Sequence, residues 1–159
     1  MILSASATHA LRAVAWLAAH ERGEATLGRD LARTVGVPAP YLAKVLGTLA
    51  RTGVLAASRG VRGGYRLARP AREIRLMEVV EPFEGKRARP GCLMRPGEPC
   101  REDAACPAHR AWSQVKETYL GFLESTTLAD IRGIDTRQAK RPRGSRTHRG
   151  SSRTARTRA

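Results

Sequence analysis

The chain has 159 residues, about one domain's worth, and carries 29 Lys+Arg against 14 Asp+Glu for a formal charge of +15. No stretch approaches the length of an apolar membrane span, and the start lacks a basic segment followed by an apolar core and a cleavage site. No membrane association and no secretory signal are expected, which points to a cytoplasmic protein. Hydrophobic residues make up 42% and aromatics 4%, so a core is feasible.

Residues 5–22 place Leu11, Val14, Ala15 and Ala18 on one stripe, widened by Leu17, which predicts a helix with Ser4 or Ser6 as N-cap and Gly23 as its end. His20 reads as an ordinary surface residue. A shorter helix after Thr26 buries Leu27, Leu31 and Val35 and stops at Gly36, where a left-handed residue carries no Cβ penalty. Pro38 opens a third helix with Leu42, Val45, Leu46 and Leu49 inward, ending near Thr52 with Gly53 as the stop. Its other face carries Pro40, Tyr41, Lys44, Thr48 and Arg51. Two helices joined by a Gly-containing turn, the second with a basic outer face, have the outline of a helix-turn-helix, which three-helix bundles without DNA affinity share. Gly47 inside the third helix costs about 1 kcal/mol relative to Ala, which close approach to the first helix or to DNA would explain.

Val54–Ser58 and Gly64–Ala68 read as two short strands around Arg59-Gly60-Val61-Arg62-Gly63. A hairpin beside a helix-turn-helix is a wing, and a tip of arginines and glycines fits beside phosphates or into a narrow minor groove. Ile74, Leu76, Met77, Val79 and Val80 then predict a fourth helix ended by Pro82. Residues 84–107, rich in Pro, Gly and charge, form a loop that a bound metal would order. Trp112, Val115, Tyr119, Phe122 and Leu123 mark one face of a long helix over 108–125, suited to the chain's own core or, better, to a two-fold interface.

Cys92, Cys100 and Cys106 all lie in that loop, and an odd count with no sign of secretion favours a thiol or metal site over disulfides. Thiolates suit iron–sulfur clusters and zinc alike, and the Cys-x7-Cys-x5-Cys spacing is longer than usual structural zinc loops and unlike ferredoxin patterns. No phosphate-binding glycine loop, Ser/His/Asp set or carboxylate pair stands out, so no enzyme is expected.

The run Pro40-Tyr41-Leu42 with Leu46 and Leu49, then Gly53-Val54-Leu55, Ser58-Arg59-Gly60 and Gly63-Gly64-Tyr65-Arg66-Leu67-Ala68, followed by the three cysteines and Trp112, resembles the Rrf-type winged helix-turn-helix regulators over about residues 1–131. That family includes the iron–sulfur cluster regulator, the nitric-oxide-sensitive repressor and the rhizobial iron regulator, and the cysteine spacing is most similar to its iron-responsive branch. The resemblance implies a mainly α fold with a small β-hairpin wing and a long C-terminal dimerisation helix. It further implies a homodimer on a palindromic double-stranded operator, and a transcriptional regulator, expected to be a repressor, that senses iron, redox or nitric oxide status. It implies a 2Fe-2S or 4Fe-4S cluster on Cys92, Cys100 and Cys106, with His109 resembling a fourth ligand. Where the nitric-oxide-sensitive branch supplies a carboxylate from the other subunit, this chain has Thr8, with His9 beside it, or the place stays open. Tyr41, Lys44 and Arg59 resemble DNA-contacting positions, joined here by Thr48 and Arg62, whereas Ala43 replaces an acidic residue, so operator preference does not carry over. The expected organisation is a DNA-binding domain over 1–83, a cysteine loop over 84–107, a dimerisation helix with a short following helix over 108–131, and a basic tail over 132–159. The alternatives are a cluster-free thiol or zinc regulator of DNA and a basic zinc-stapled RNA-binding module.

From Thr136 to Ala159 there are nine basic residues and no acid, with almost nothing apolar, which predicts a disordered tail. Its removal leaves 20 basic against 14 acidic residues in 1–135, a net of +6. Each neutralised phosphate steepens the dependence of log affinity on log salt by about 0.9. Deleting residues 136–159 is therefore expected to flatten that slope, measured by DNA titration across salt concentrations, while operator preference is retained; loss of sequence discrimination would contradict this division.

Overall fold

The computed structural model describes residues 3–21, 25–60, 63–88, 91–95, 98 and 106–132. Helix α1 (Ala5–Ala19) is capped by Ser4, whose Oγ accepts the Ala7 N–H at 3.2 Å. The Ser4 N–H itself donates to Glu84 Oε1 at 2.6 Å, a contact across 80 positions of chain. The helix ends short of the expected Arg22, because His20 closes it. The His20 N–H reaches the Trp16 and Leu17 carbonyls, its Nδ1 lies 2.8 Å from Trp16 O, and its ring stacks on Trp16 at 4.0 Å. Gly23, the expected stop, lies outside the described residues.

Helices α2 (Gly28–Val35) and α3 (Ala39–Arg51) follow, joined by a turn through Gly36 in the left-handed conformation. Pro38 stands at the N-cap of α3 rather than inside it, and Pro40 takes the first-turn position, where a missing N–H leaves no bond unmade. Leu31 and Val35 of α2 and Leu42, Val45, Leu46 and Leu49 of α3 are buried, packed with Ala10, Val14 and Leu17 of α1 in one core. At the end of α3, Gly53 at φ 76° lets its N–H reach Ala50 O and the Val54 N–H reach Leu49 O. This is a Schellman ending, and it turns the chain straight into the hairpin.

Strands β1 (Leu55–Ser58) and β2 (Gly64–Leu67) pair antiparallel, Leu55 opposite Leu67 and Ser58 opposite Gly64. The hairpin has a third participant that strand patterning does not reveal. Thr26, just ahead of α2, exchanges two backbone hydrogen bonds with Tyr65, at 2.9 and 2.8 Å. The approach is so close that a Cβ on Gly64 would collide with the Thr26 carbonyl. The wing is thus bonded to the entrance of α2 as well as to the exit of α3.

Helix α4 (Leu76–Glu84) continues past Pro82, where the sequence pattern placed its end. A proline this near the C-terminus interrupts only the final turn. Ile74, expected within the helix, lies before it as buried extended chain. Its carbonyl accepts from Leu128 N–H at 2.9 Å, while Leu76 N–H donates to Thr126 O at 3.0 Å. The segment after helix α5 (His109–Ser125) therefore runs back along the start of α4, and beyond this pairing the chain turns over 128–132 instead of forming the expected short helix. Glu78 fixes the same corner: its Oε1 accepts Arg75 N–H at 2.9 Å and its Oε2 meets Arg69 Nη2 at 2.5 Å. Burial alone would raise the Glu78 carboxyl, but these hydrogen bonds and the two arginine charges hold it below its ordinary value. Among the described residues no helix is long and apolar enough to cross a membrane.

Two glycines, Gly47 of α3 and Gly64 of β2, have opposite reasons. A Cβ on Gly47 would meet only the Arg51 guanidinium, at 3.6 Å, so approach to α1 does not account for it. Gly47→Ala is expected to raise stability to urea by about 1 kcal/mol. Gly64→Ala is expected to lower it by about 1–3 kcal/mol through backbone strain. A destabilised Gly47→Ala protein would reveal an internal contact that the fold does not show.

Candidate DNA interface and cysteine loop

The outer face of α3 is organised along its length by its own side chains. Lys44 and Arg51 are exposed, and Thr48 lies between them, its Oγ1 donating to Lys44 O at 3.1 Å and accepting from Arg51 Nη2 at 2.9 Å. The Thr48 hydroxyl is thus engaged with the helix while it steers the Arg51 guanidinium past Gly47. Arg51 stood on the outer face in the sequence pattern without being assigned a contact; the i,i+3 spacing from Thr48 is the signal for this bond.

Tyr41 is placed differently from Lys44. Its hydroxyl lies 2.9 Å from Ser6 Oγ of α1, and its ring meets the His9 ring edge-on, centroids 5.6 Å apart. The phenol therefore joins the first turn of α3 to the first turns of α1, and half of its surface role is internal. His9 Nδ1 is enclosed with no hydrogen-bond partner among the described residues. Burial and then the Arg12 charge hold the His9 imidazole below its ordinary pKa, which favours the neutral form. Thr8, beside it, turns its hydroxyl onto Ser4 O at 2.9 Å.

Arg59 is exposed directly after β1, on the wing. Arg62 lies outside the described residues, and across the tip Gly63 N–H donates to Gly60 O at 2.9 Å. On α2, Arg29 and Arg33 flank Asp30 at 3.9 and 3.4 Å, and both arginines stay largely exposed. Lys44, Arg51 and Arg59 thus follow one another along a helix and the hairpin it feeds, an arrangement able to meet phosphates with the helix and a groove with the wing.

The cysteine loop is anchored at both ends of the same short stretch of α5. Trp112, in its first turn, donates Nε1–H to Gly91 O at 2.8 Å, which fixes the residue before Cys92. Cys92 N–H in turn donates to Glu98 O at 2.8 Å, and the chain passes so close there that a Cβ on Gly91 would strike the Glu98 backbone. Cys106 accepts from His109 N–H at 2.9 Å and leads directly into the helix. Cys106 and His109 stand at the start of α5 and Cys92 follows the clamped Gly91, all three partly buried, whereas Cys100 lies outside the described residues. Among the described residues no three His, Cys, Asp or Glu side chains converge as metal ligands, so what the fold provides is two partly buried thiols on a loop that is hydrogen-bonded to α5. Trp112 marked the helix by its apolar body; its indole N–H as the clamp on the loop had no sequence signal.

The apolar stripe of α5 divides. Leu123 is buried and Tyr119 and Leu120 pack on the core, whereas Val115 (55% exposed) and Phe122 (53%) face outward, as do Leu93 (50%) and Met94 (69%) of the loop. The chain's own core therefore accounts for only one edge of the stripe.

Comparison with known proteins places these features in context. The family model Rrf2, described as an iron-dependent transcriptional regulator, matches residues 3–133. An HTH-type transcriptional regulator of Aquifex aeolicus is 32% identical over 137 residues, covering 85% of this chain and 94% of that protein. An rrf2-like HTH-type regulator of Rhodobacter capsulatus is 31% identical over 139 residues, covering 83% and 93%. Among solved structures, CymR (YrzC), the global cysteine regulator of B. subtilis, superposes with a TM-score of 0.70 at 23% identity over 81% of this chain and 94% of its own. T. potens IscR gives 0.65 at 26% identity over 81% and 84%. These likenesses span the helix-turn-helix, the wing, the loop and α5 together, and the named relatives are regulators of transcription rather than enzymes: the chain belongs to the Rrf2 family of DNA-binding, winged helix-turn-helix transcriptional regulators.

Proposed function

We propose that this regulator is a cytoplasmic homodimer, expected to repress, whose affinity for a palindromic operator is set by an iron–sulfur cluster on Cys92, Cys100 and Cys106. His109 is the first candidate for the remaining position. The observation that supports this reading is the clamp of Trp112 on Gly91, which ties the Cys92 segment to the same helix that Cys106 and His109 open. A cluster there would supply iron that reacts with oxidants or nitric oxide and whose loss frees the thiolates. The chain's own part is to bind the cluster through the loop and to bind DNA through Lys44, Thr48 and Tyr41 of α3 and Arg59 and Arg62 of the wing. The outward residues Val115 and Phe122 suit a two-fold contact between long helices.

Control then requires that the cluster states differ in their preference for the DNA-competent geometry, and a coupling of roughly 1–3 kcal/mol is typical. The thiol-only and zinc-bound readings use the same residues and differ in metal content. The RNA-binding alternative has no place in a family of transcriptional regulators.

Anaerobic purification is expected to yield a brown protein with stoichiometric iron and sulfide, and exposure to oxygen or nitric oxide is expected to change its operator affinity. Arg59→Ala is expected to reduce discrimination between operator and random duplex. A colourless, iron-free protein whose cysteine-to-alanine variants bind DNA unchanged would overturn the cluster reading.

A further inference from the structure

The N-terminal box of α1 is divided between distant parts of the chain. In a capping box the N-cap hydroxyl takes the amide three residues on, and an acidic or amide side chain at that third position returns to the N-cap amide. Ser4 takes the Ala7 amide, but Ala7 has nothing to return. The missing carboxylate comes from Glu84, which accepts the Ser4 N–H at 2.6 Å. Glu84 is the last residue of α4 and stands at the root of the segment that leads to Cys92. It also faces α5: after burial, its charge is what pushes the Tyr119 phenol up. Two residues into α1, Ser6 meets the Tyr41 hydroxyl at 2.9 Å, and His9 packs edge-on against the same ring. One carboxylate, one helical turn and one phenol therefore connect the base of the cysteine loop to the first turn of α3.

We propose that Glu84 is a positioning residue that transmits the state of the cysteine loop to the DNA-reading helix, through the start of α1 and the Ser6–Tyr41 contact. The proposal rests on the reading that a cluster on this loop governs operator binding. A carboxylate on a helix N-terminal amide is a charge-assisted, directional bond, favoured by the helix dipole. When the loop draws the end of α4 to a new position, α1 either follows, carrying Ser6 and its contact with Tyr41, or loses this cap, which loosens the turn that holds Ser6. The bond is a discrete element that both sites bias, which is what physical coupling requires.

The test uses the full-length protein, purified anaerobically as wild type, Glu84→Ala, Glu84→Gln and Ser6→Ala, with a duplex selected from random sequence by the wild type. Iron content, visible absorption, amide exchange over residues 4–8, and the ratio of duplex affinities before and after nitric oxide are measured. For the wild type the ratio is expected to fall within about 5–150-fold. Glu84→Ala is expected to keep the iron and the spectrum, to exchange faster at the start of α1, and to bring the ratio close to one. Glu84→Gln, which still offers an oxygen to Ser4, is expected to restore most of it, and Ser6→Ala to lower it. A wild-type ratio in both Glu84→Ala and Ser6→Ala would overturn the coupling while leaving the cluster reading intact. A wild-type protein with neither iron nor a change in affinity would overturn both. If Glu84→Ala does not fold, an unchanged ratio in Ser6→Ala is sufficient to overturn the coupling.

Discussion

Close packing around α1 is the constraint on which the other elements depend. The helix buries Ala7, Ala10, Ala13, Ala15 and Ala18 together with Val14 and Leu17, so it is enclosed on more than one side. It packs against α2, α3, α4 and β2. Small side chains let helix axes approach closely, and burying alanine sacrifices no rotamer freedom. A thicker helix would push α3 and α4 apart, because cores filled at native density do not absorb added methylenes without strain. The consequence is mechanical. α3 carries the exposed Lys44 and Arg51, α4 leads into the cysteine loop, and both are registered against the same thin helix.

The charge of the chain acquires its meaning from this frame. Lys44, Arg51 and Arg59 are held by a helix whose inner face is fully buried and by a hairpin bonded on both sides, so these cations occupy defined positions. Gly47 belongs to the same surface. Among the described residues only the Arg51 guanidinium comes near it, and a bare backbone between Lys44 and Arg51 lets another molecule come close to the helix. Ala43, also exposed, adds a second small position on that face.

Much of the fold was readable from local pattern, because the elements of the DNA-binding unit end on chemistry that is itself local. Gly36 and Gly53 adopt the left-handed conformation their positions required, and the inward leucines of α3 and the hairpin register follow from periodicity. What escaped is contact at a distance. Thr26 joins β2 across 39 positions, and Glu84 completes the cap of Ser4 across 80. Neither leaves a mark in a window of ten residues, although the absence of an acidic partner at Ala7 was a gap that something had to fill. Pro82 misled for the opposite reason: a strong local signal was overridden by the packing of Val79 and Val80 beside it. In the candidate site, the cysteines and His109 were visible as residue types and spacing. The indole of Trp112 and the hydroxyl of Ser6 were not, because both act through single hydrogen bonds to distant segments.

If α1 joins the loop to the reading helix, the two ends of the molecule respond together. Amide hydrogen exchange on the anaerobically purified, iron-containing protein, compared with the same protein after nitric oxide, tests this most directly. The expected result is a change in protection over residues 4–9 and at Tyr41 and Leu42 that accompanies the change at Cys92 and over residues 109–112. A change confined to the loop and α5, with α1 and the start of α3 unaltered, would contradict the account.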